Sequence, residues 1–376
     1  VKRNNISAGK LLEIADKAKD SNANTYADVI LGLPGDSKQA HFGTIKALVE
    51  TGLDYLTLFT SILLESTEMA TEASRKKHEM ITRFRILPRC FGSYQFNSTT
   101  FISAESEEVC VGSKTLSYED YLECRAFDLT VGIFYNDRIF YEVNAILGNF
   151  GISVYDWLLF IHEHRDSFPE GLKSVYAQFL RETDGELWKK QSDLLDCIKG
   201  SQKTLEEYIR GERGNNVFYS ARIAVLVHHI RELHVVAFNA LRDILKVSGK
   251  DVAVEIEDYL NELQRYSEMC KSNPVSLDSE LRAEFYYDFL ELEMEKFSKV
   301  PERKLTEPVL LTFEHTEDQK KLLASQLKAY GTSRVGLARL IGKNPIKKFY
   351  RTARLTGEAT KLSSEAHTEK RWQNIS

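Results

Sequence analysis

Residues 26–69 read YADVILGLPGDSKQAHFGTIKALVETGLDYLTLFTSILLESTEM, and their pattern decides the fold. Residues 26–31 are a short apolar run rich in β-branched and aliphatic side chains. The run stops at Gly32-Leu33-Pro34-Gly35, which suits a buried strand feeding a tight turn. Asp36 or Ser37 can cap the next helix. Phe42, Ile45, Leu48 and Val49 recur at helical spacing, and Gly52 stands where a C-terminal cap belongs. A second apolar run, residues 55–64, follows at once. Strand, helix and strand with short joints predict a right-handed βαβ unit of a parallel sheet.

The rest of the chain sets bounds on this unit. At 376 residues there is room for two domains. Hydrophobic residues at 43% and charged residues at 28% are ordinary for a globular protein. A net charge of -5 argues against a chain built to bind nucleic acid. No apolar run approaches the roughly 20 residues of a membrane helix, and the first residues lack the pattern of a signal peptide. Opening on Val inside a polar, helix-like segment suggests that a longer protein continues upstream. The five cysteines, Cys90, Cys110, Cys124, Cys197 and Cys270, are far apart and odd in number. They match neither a zinc site nor a disulfide framework, so a reduced, cytoplasmic protein is expected.

Residues 1–20 have a helical pattern with Ser7 as N-cap and Leu11, Leu12 and Ile14 on the apolar face. A further helix is expected over 67–80. Residues 83–97 look extended, and 98–115 irregular or hairpin-like. From Tyr118 the pattern turns helical, with helices expected over 117–134, 138–149, 153–164, 170–192, 203–212, 218–247, 251–271 and 277–298. Tyr135-Asn136-Asp137-Arg138 reads as a helix–helix turn, and 309–313 as a short strand after Pro308. Residues 251–300 carry 13 acids and 5 bases. Residues 329–354 carry seven bases and no acid. The basic segment is expected to dock internally on those acidic helices, with a membrane surface or an acidic partner as alternatives. The domain boundary is expected near residue 90, with 91–355 mainly helical and 356–376 a disordered tail.

A glycine turn between a strand and a helix exposes backbone N–H groups that can hold a phosphate, a carboxylate or a purine edge. GLPGDS has neither the Lys-Ser/Thr pair of a P-loop nor the G-x-G-x-x-G spacing. By the turn alone, a plain structural joint stands beside a ligand site. His162-x-His164 and His228-His229-x-x-Glu232-x-His234 loosely approach metal spacings, and His229 and Glu232 share a helix face. Surface or internally satisfied histidines are the expectation there. Glu107 and Glu108 read as solvated acids. Cys90 and Cys110 follow the βαβ unit directly and are candidate catalytic thiols, against a bland reading as small buried hydrophobes. Cys124, Cys197 and Cys270 lie on helical patterns and read as ordinary positions.

Residues 27–69 resemble the fifth strand, fifth helix and sixth strand of radical S-adenosylmethionine (SAM) enzymes. The resemblance is closest to the branch that carries a cobalamin-binding domain. Ile30-Leu31-Gly32-Leu33-Pro34-Gly35-Asp36-Ser37 is similar to that family's I-x-G-x-P-G-[ED]-[TS] strand end. Leu63-Leu64-Glu65-Ser66-Thr67-Glu68-Met69 is similar to its L-x-P-G-T-x-L element, departing at Glu65 and Ser66. Val1–Ile6 resembles the end of the preceding helix.

The resemblance implies that Ile30 and Leu31 flank the adenine of SAM, with Gly32, Leu33, Pro34 and Gly35 forming the turn that the ligand approaches. It places Leu58 and Phe59 at the same end of the sheet and Arg3 near the carboxylate or ribose. The implied architecture is α/β plus α: the C-terminal part of a partial (β/α) barrel followed by a mainly helical domain. The implied activity of the complete protein is reductive cleavage of SAM at a [4Fe–4S] cluster, giving a 5′-deoxyadenosyl radical. Cobalamin is an implied second cofactor and flavodoxin or ferredoxin the implied electron donor, acting on a small-molecule or peptide substrate. The family's C-x-x-x-C-x-x-C cluster loop and its Gly-Gly-Glu stretch are absent from this sequence. The chain alone is therefore expected to bind no cluster and to be inactive. Two other readings remain: a non-catalytic helical interaction protein, and an enzyme that uses GLPGDS for a phosphate-bearing ligand.

Overall fold

The computed structural model describes Lys10, Glu13, Ile14, Lys17 and residues 25–249, 254–277, 280–301 and 303–356. The expected helix over 1–20, Arg3 and the tail beyond residue 356 lie outside these described residues, apart from those four positions.

The βαβ unit forms as its sequence pattern requires. β1 (Tyr26–Leu31) and β2 (Tyr55–Thr60) pair in parallel around α1 (Lys38–Glu50). Ser37 caps α1 by accepting from the Ala40 amide, and Gly52 leaves the helix at φ +73°. Ile45, Leu48 and Val49 bury one face of α1 beside Val29, Leu56 and Leu58. A short helix, α2 (Glu72–His78), follows. The helix expected over 67–80 is shorter because a 3-10 turn occupies 68–70 and Thr71 starts the α-helix by accepting from the Ser74 amide.

Next comes a long antiparallel hairpin, β3 (Ile81–Phe96) and β4 (Thr99–Gly112), so the expected boundary near residue 90 falls inside one strand. The base of β4 joins the extension of β2 through a bridge between Ile62 and Val109. Glu107 and Glu108 are not free surface acids. They pair with Arg85 at 2.5 Å and with both terminal nitrogens of Arg75 at 2.5 and 2.7 Å.

The helical body contains α3 (Tyr118–Phe134), α4 (Tyr141–Asn149), α5 (Val154–Glu163), α6 (Glu170–Gly185), α7 (Gln191–Lys199), α8 (Gln202–Ile209), α9 (Val217–His228), α10 (Ile230–Val247) and α11 (Val254–Lys271). Asp137 and Arg138 take positive φ, so the turn at 135–138 is real and delays α4 to Tyr141. The helix expected over 170–192 ends at Gly185 because Trp188 exchanges two backbone hydrogen bonds with Phe84. The apolar stripe expected as one helix over 218–247 is broken at His229 into α9 and α10.

The expected helix over 277–298 is wrong. Leu281–Phe285 is β5, paired with β6 (Val309–Glu314) in an antiparallel register, and only Phe289–Met294 is helical (α12). The alternation of Leu281, Ala283 and Phe285 against Arg282 and Glu284 is a strand period that the abundance of acids concealed.

The basic segment docks internally, and Arg351 donates to the Ser272 carbonyl just past the end of α11. After α13 (Glu317–Tyr330), α14 (Arg334–Lys343) packs on α9 and buries Leu337, Leu340 and Ile341. β7 (Thr352–Leu355) then adds to β6. Phe349 is fully buried, and Arg334 and Arg354 pair with Glu182 and Glu314.

One contiguous hydrophobic core runs from Val29 through the helices to Ala353. The fold is mixed α/β and mainly helical with small sheets, and the described residues form no closed barrel. No single described helix is long and apolar enough to cross a membrane.

Glu123 on α3 gives a pH test of this body. Its hydrogen bond with His162 and the charge of Arg165 outweigh its partial burial and hold its carboxyl down at about 2. A depressed folded value adds stability above the unfolded carboxyl range, and that stability is lost as pH falls towards about 2. Glu123→Gln is therefore expected to be less stable than the parent at neutral pH. In urea titrations the gap should close between about pH 4.5 and about pH 2. A gap independent of pH would show that the carboxylate charge contributes nothing.

Candidate functional site

Alternation along a strand sends neighbouring side chains to opposite faces. In the β1–β2 pair, Val29, Leu31, Leu56, Leu58 and Thr60 are buried on the side packed by α1 and the body. Tyr26, Asp28 and Ile30 of β1 and Phe59 of β2 are exposed. Ile30 and Phe59 stand opposite each other in the register, 38% and 47% exposed, at the carboxyl end of the pair. Ile30 and Leu31, expected to flank an adenine, and Leu58 and Phe59, expected at the same end of the sheet, therefore separate. Ile30 and Phe59 share the open side, whereas the side chains of Leu31 and Leu58 are buried in the core.

The open side is unusual for its strand type. Parallel sheets are ordinarily covered on both faces, and among the described residues β1 has β2 as its one strand partner. At the amino end of the same side, a cavity of about 340 Å³ lies between Tyr26, Tyr55, Tyr219 and residues 341–347.

The Gly32–Ser37 turn is built for closure as well as for exposure. Gly32 takes φ +87°, and a Cβ there would lie 2.7 Å from the Cys110 carbonyl oxygen. The close approach that glycine permits is thus to β4. The Asp36 carboxylate accepts from the Gly32 amide at 3.0 Å and from the Ser37 amide at 2.9 Å. The Asp36 amide donates to the Leu33 carbonyl at 2.9 Å, and Thr115 donates to the Asp36 carbonyl at 2.6 Å. Leu33 and Pro34 are half-buried and Gly35 is exposed. Two of the amides that a phosphate would use already face a carboxylate, which repels a second anion. Ser61 donates its amide to Leu31 and accepts at its carbonyl from Cys110, while its buried hydroxyl has no partner.

Behind the turn, buried His41 meets Asp128 at 2.8 Å, and Arg125 meets the other Asp128 oxygen at 3.1 Å. Burial opposes a charge on His41, but Asp128, helped by Asp36, outweighs it and raises the imidazole above its usual value. Sequence reading missed this network, because His41 sits on an apolar helix face and Asp128 is 87 residues away.

The candidate thiols are poorly placed for reaction. Cys110 is buried at the hairpin base, its Sγ 3.4 Å from the Gly112 carbonyl, and burial pushes its thiol up. Cys90 is half-buried on the irregular stretch of β3 between Ile86 and Phe91. His162, His229 and His234 are each held by internal partners. His229 and Glu232 meet at 3.0 Å, and Glu232 accepts from the Leu172 amide at the start of α6. His234 donates from Nδ1 to the Ile230 carbonyl while its Nε2 meets the Ser267 hydroxyl at 3.0 Å, and burial followed by the Lys271 charge lowers it to about 3. Among the described residues, no group of three His, Cys, Asp or Glu side chains is arranged to hold a metal ion. No protein-family model and no curated protein matches the chain.

Proposed function

We propose that this chain is the C-terminal part of a radical SAM enzyme and that the open side of β1–β2 forms one wall of its SAM pocket. The observation that carries the reading is the side-by-side exposure of Ile30 and Phe59 at the carboxyl end of a parallel pair. Ligands of parallel α/β sheets bind at that end. An aromatic ring beside an aliphatic one suits the face of an adenine, since stacking needs no charge. The resemblance of residues 27–69 to the family supplies the identity of the ligand.

The residues present do not fit an iron–sulfur cluster. Cluster iron is held by thiolates. Cys110 and Cys124 are buried with thiols pushed up by that burial, so they keep their protons. The cluster ligands, and those of a cobalamin, would have to come from residues outside this chain. Its own contribution is a shaped, apolar wall and the Asp36-locked turn beside it.

Titration calorimetry with SAM, S-adenosylhomocysteine and ATP tests the assignment. SAM and S-adenosylhomocysteine are expected to bind, and Phe59→Ser to weaken both about tenfold, the loss of roughly 1.4 kcal/mol of stacking. Selective binding of ATP would favour a phosphate ligand instead, against the Asp36 geometry. Failure of all three to bind would leave the helical interaction reading.

A further inference from the structure

The outer half of the β3–β4 hairpin has a different character from its base. One face packs on the body: Phe91, Ile102 and Ala104 lie against Leu194 and Ile198 of α7 and Leu205 and Tyr208 of α8. From Ser93 to Phe101 every residue is exposed. The register sets Tyr94 opposite Phe101 and Phe96 opposite Thr99. Strand alternation therefore gathers Tyr94, Phe96 and Phe101 on the face turned away from α7 and α8. Their exposures are 52%, 71% and 47%. Tyr94 and Phe101 stack with centroids 5.8 Å apart. No charged residue lies between Arg89 and Glu105, whereas the hairpin base is lined by Arg75–Glu108 and Arg85–Glu107 pairs. Edge strands are normally guarded by charges of that kind.

We infer that this aromatic face docks on a neutral lipid surface, with its three rings at the boundary between headgroups and acyl chains. Aromatic rings favour that boundary, where one side of the ring is apolar and its rim is wet. Seating the tip there strips water from no charge. Asn97 and Ser98 at the turn, with Thr99 and Ser103 on the same face as the rings, bring only hydroxyl and amide groups to the headgroups. The chain's net charge of -5 disfavours an anionic surface. A second copy is the weaker occupant on area. Three rings of roughly 150–250 Å² each, about half exposed, offer about 225–375 Å². A standard protein interface needs about 800 Å² per partner, while reversible attachment to a bilayer needs no such minimum.

Flotation of the full chain with phosphatidylcholine vesicles tests the inference. The chain is expected to float with the vesicles, with a bound fraction unchanged when ionic strength rises from about 0.1 to about 0.5 M. The double variant Phe96→Ser, Phe101→Ser should lose vesicle binding about tenfold or more, with its urea midpoint lowered only slightly by loss of the Tyr94–Phe101 stack. Phe96→Trp should shift its emission to the blue on adding vesicles. Absence of binding by the parent, or binding that the double variant retains, overturns the inference. So does binding restricted to phosphatidylserine vesicles and lost in salt. A reversible dimer in sedimentation velocity that the double variant abolishes, with vesicles ignored, would assign the face to a second copy instead.

Discussion

Arg222→Met is expected to cost about 3–5 kcal/mol of stability, because it strands a buried carboxylate. Arg222 and Asp137 are 1% and 4% exposed and meet at 2.6 Å. The same guanidinium donates to the Gly132 carbonyl at 2.8 Å and to the Tyr55 hydroxyl at 3.1 Å. One side chain on α9 thus ties together the end of α3, the turn at 135–138 and the start of β2. Its removal takes away three hydrogen bonds and leaves Asp137 without its charge partner in the interior. The pair itself is weak evidence of net stabilisation, since desolvating two charges offsets much of their attraction. The cost belongs to breaking it on one side. Arg222→Met combined with Asp137→Asn should therefore recover part of the loss, as Asn tolerates the positive φ at 137. Urea unfolding of the two single variants and the double variant measures this. Strict additivity would show that the two groups are not coupled.

The second large effect is expected at the turn. Gly32→Ala combines an unfavourable backbone angle with a clash against the Cys110 carbonyl, a main-chain atom that moves only with β4. A cost of about 2–4 kcal/mol follows from the strain and the displacement together. Gly35 has the same φ of +87° but open space around its would-be Cβ. Gly35→Ala should show only the backbone part, about 1–2 kcal/mol. The difference between the two variants isolates the contact with β4. Equal losses would mean that the hairpin base yields freely. A larger loss at 32 would establish that the turn and the hairpin form one cooperative unit, which places the open side of β1–β2 beside a rigid support.

The βαβ unit was legible because its signals are local. An apolar run, a Gly-Pro turn, a capping Ser37 and a C-terminal Gly52 each act within a few residues. Most helix positions followed for the same reason, whereas the pairing of 81–96 with 99–112 into one hairpin did not, since 83–97 read only as an extended segment. The errors arose where a distant partner overrides local pattern. Residues 281–285 form a strand because β6 offers a hydrogen-bonded edge. Trp188 leaves a helical stretch because Phe84 pairs with it. The break at His229 is a different case, since its ring meets Glu232 only three residues on and yet it divides one apolar stripe into α9 and α10.

At the candidate site the division is sharper. The sequence alone determined that residues 26–60 make two apolar strands around a helix, joined by a glycine turn with an adjacent acid. It could not rank Ile30 over Leu31, or Phe59 over Leu58, because an apolar run carries no mark of which face is covered. Only the tertiary structure decided that, by packing α1 and the body against one side and leaving the carboxyl end of the other, at Ile30 and Phe59, exposed. It also decided what the turn's features serve. Gly32 admits a strand whose contacting carbonyl belongs to Cys110, and Asp36 closes the amides that an anion would seek. Both outcomes depend on contacts made across the fold, and the energy of such contacts is absent from any local stretch of sequence.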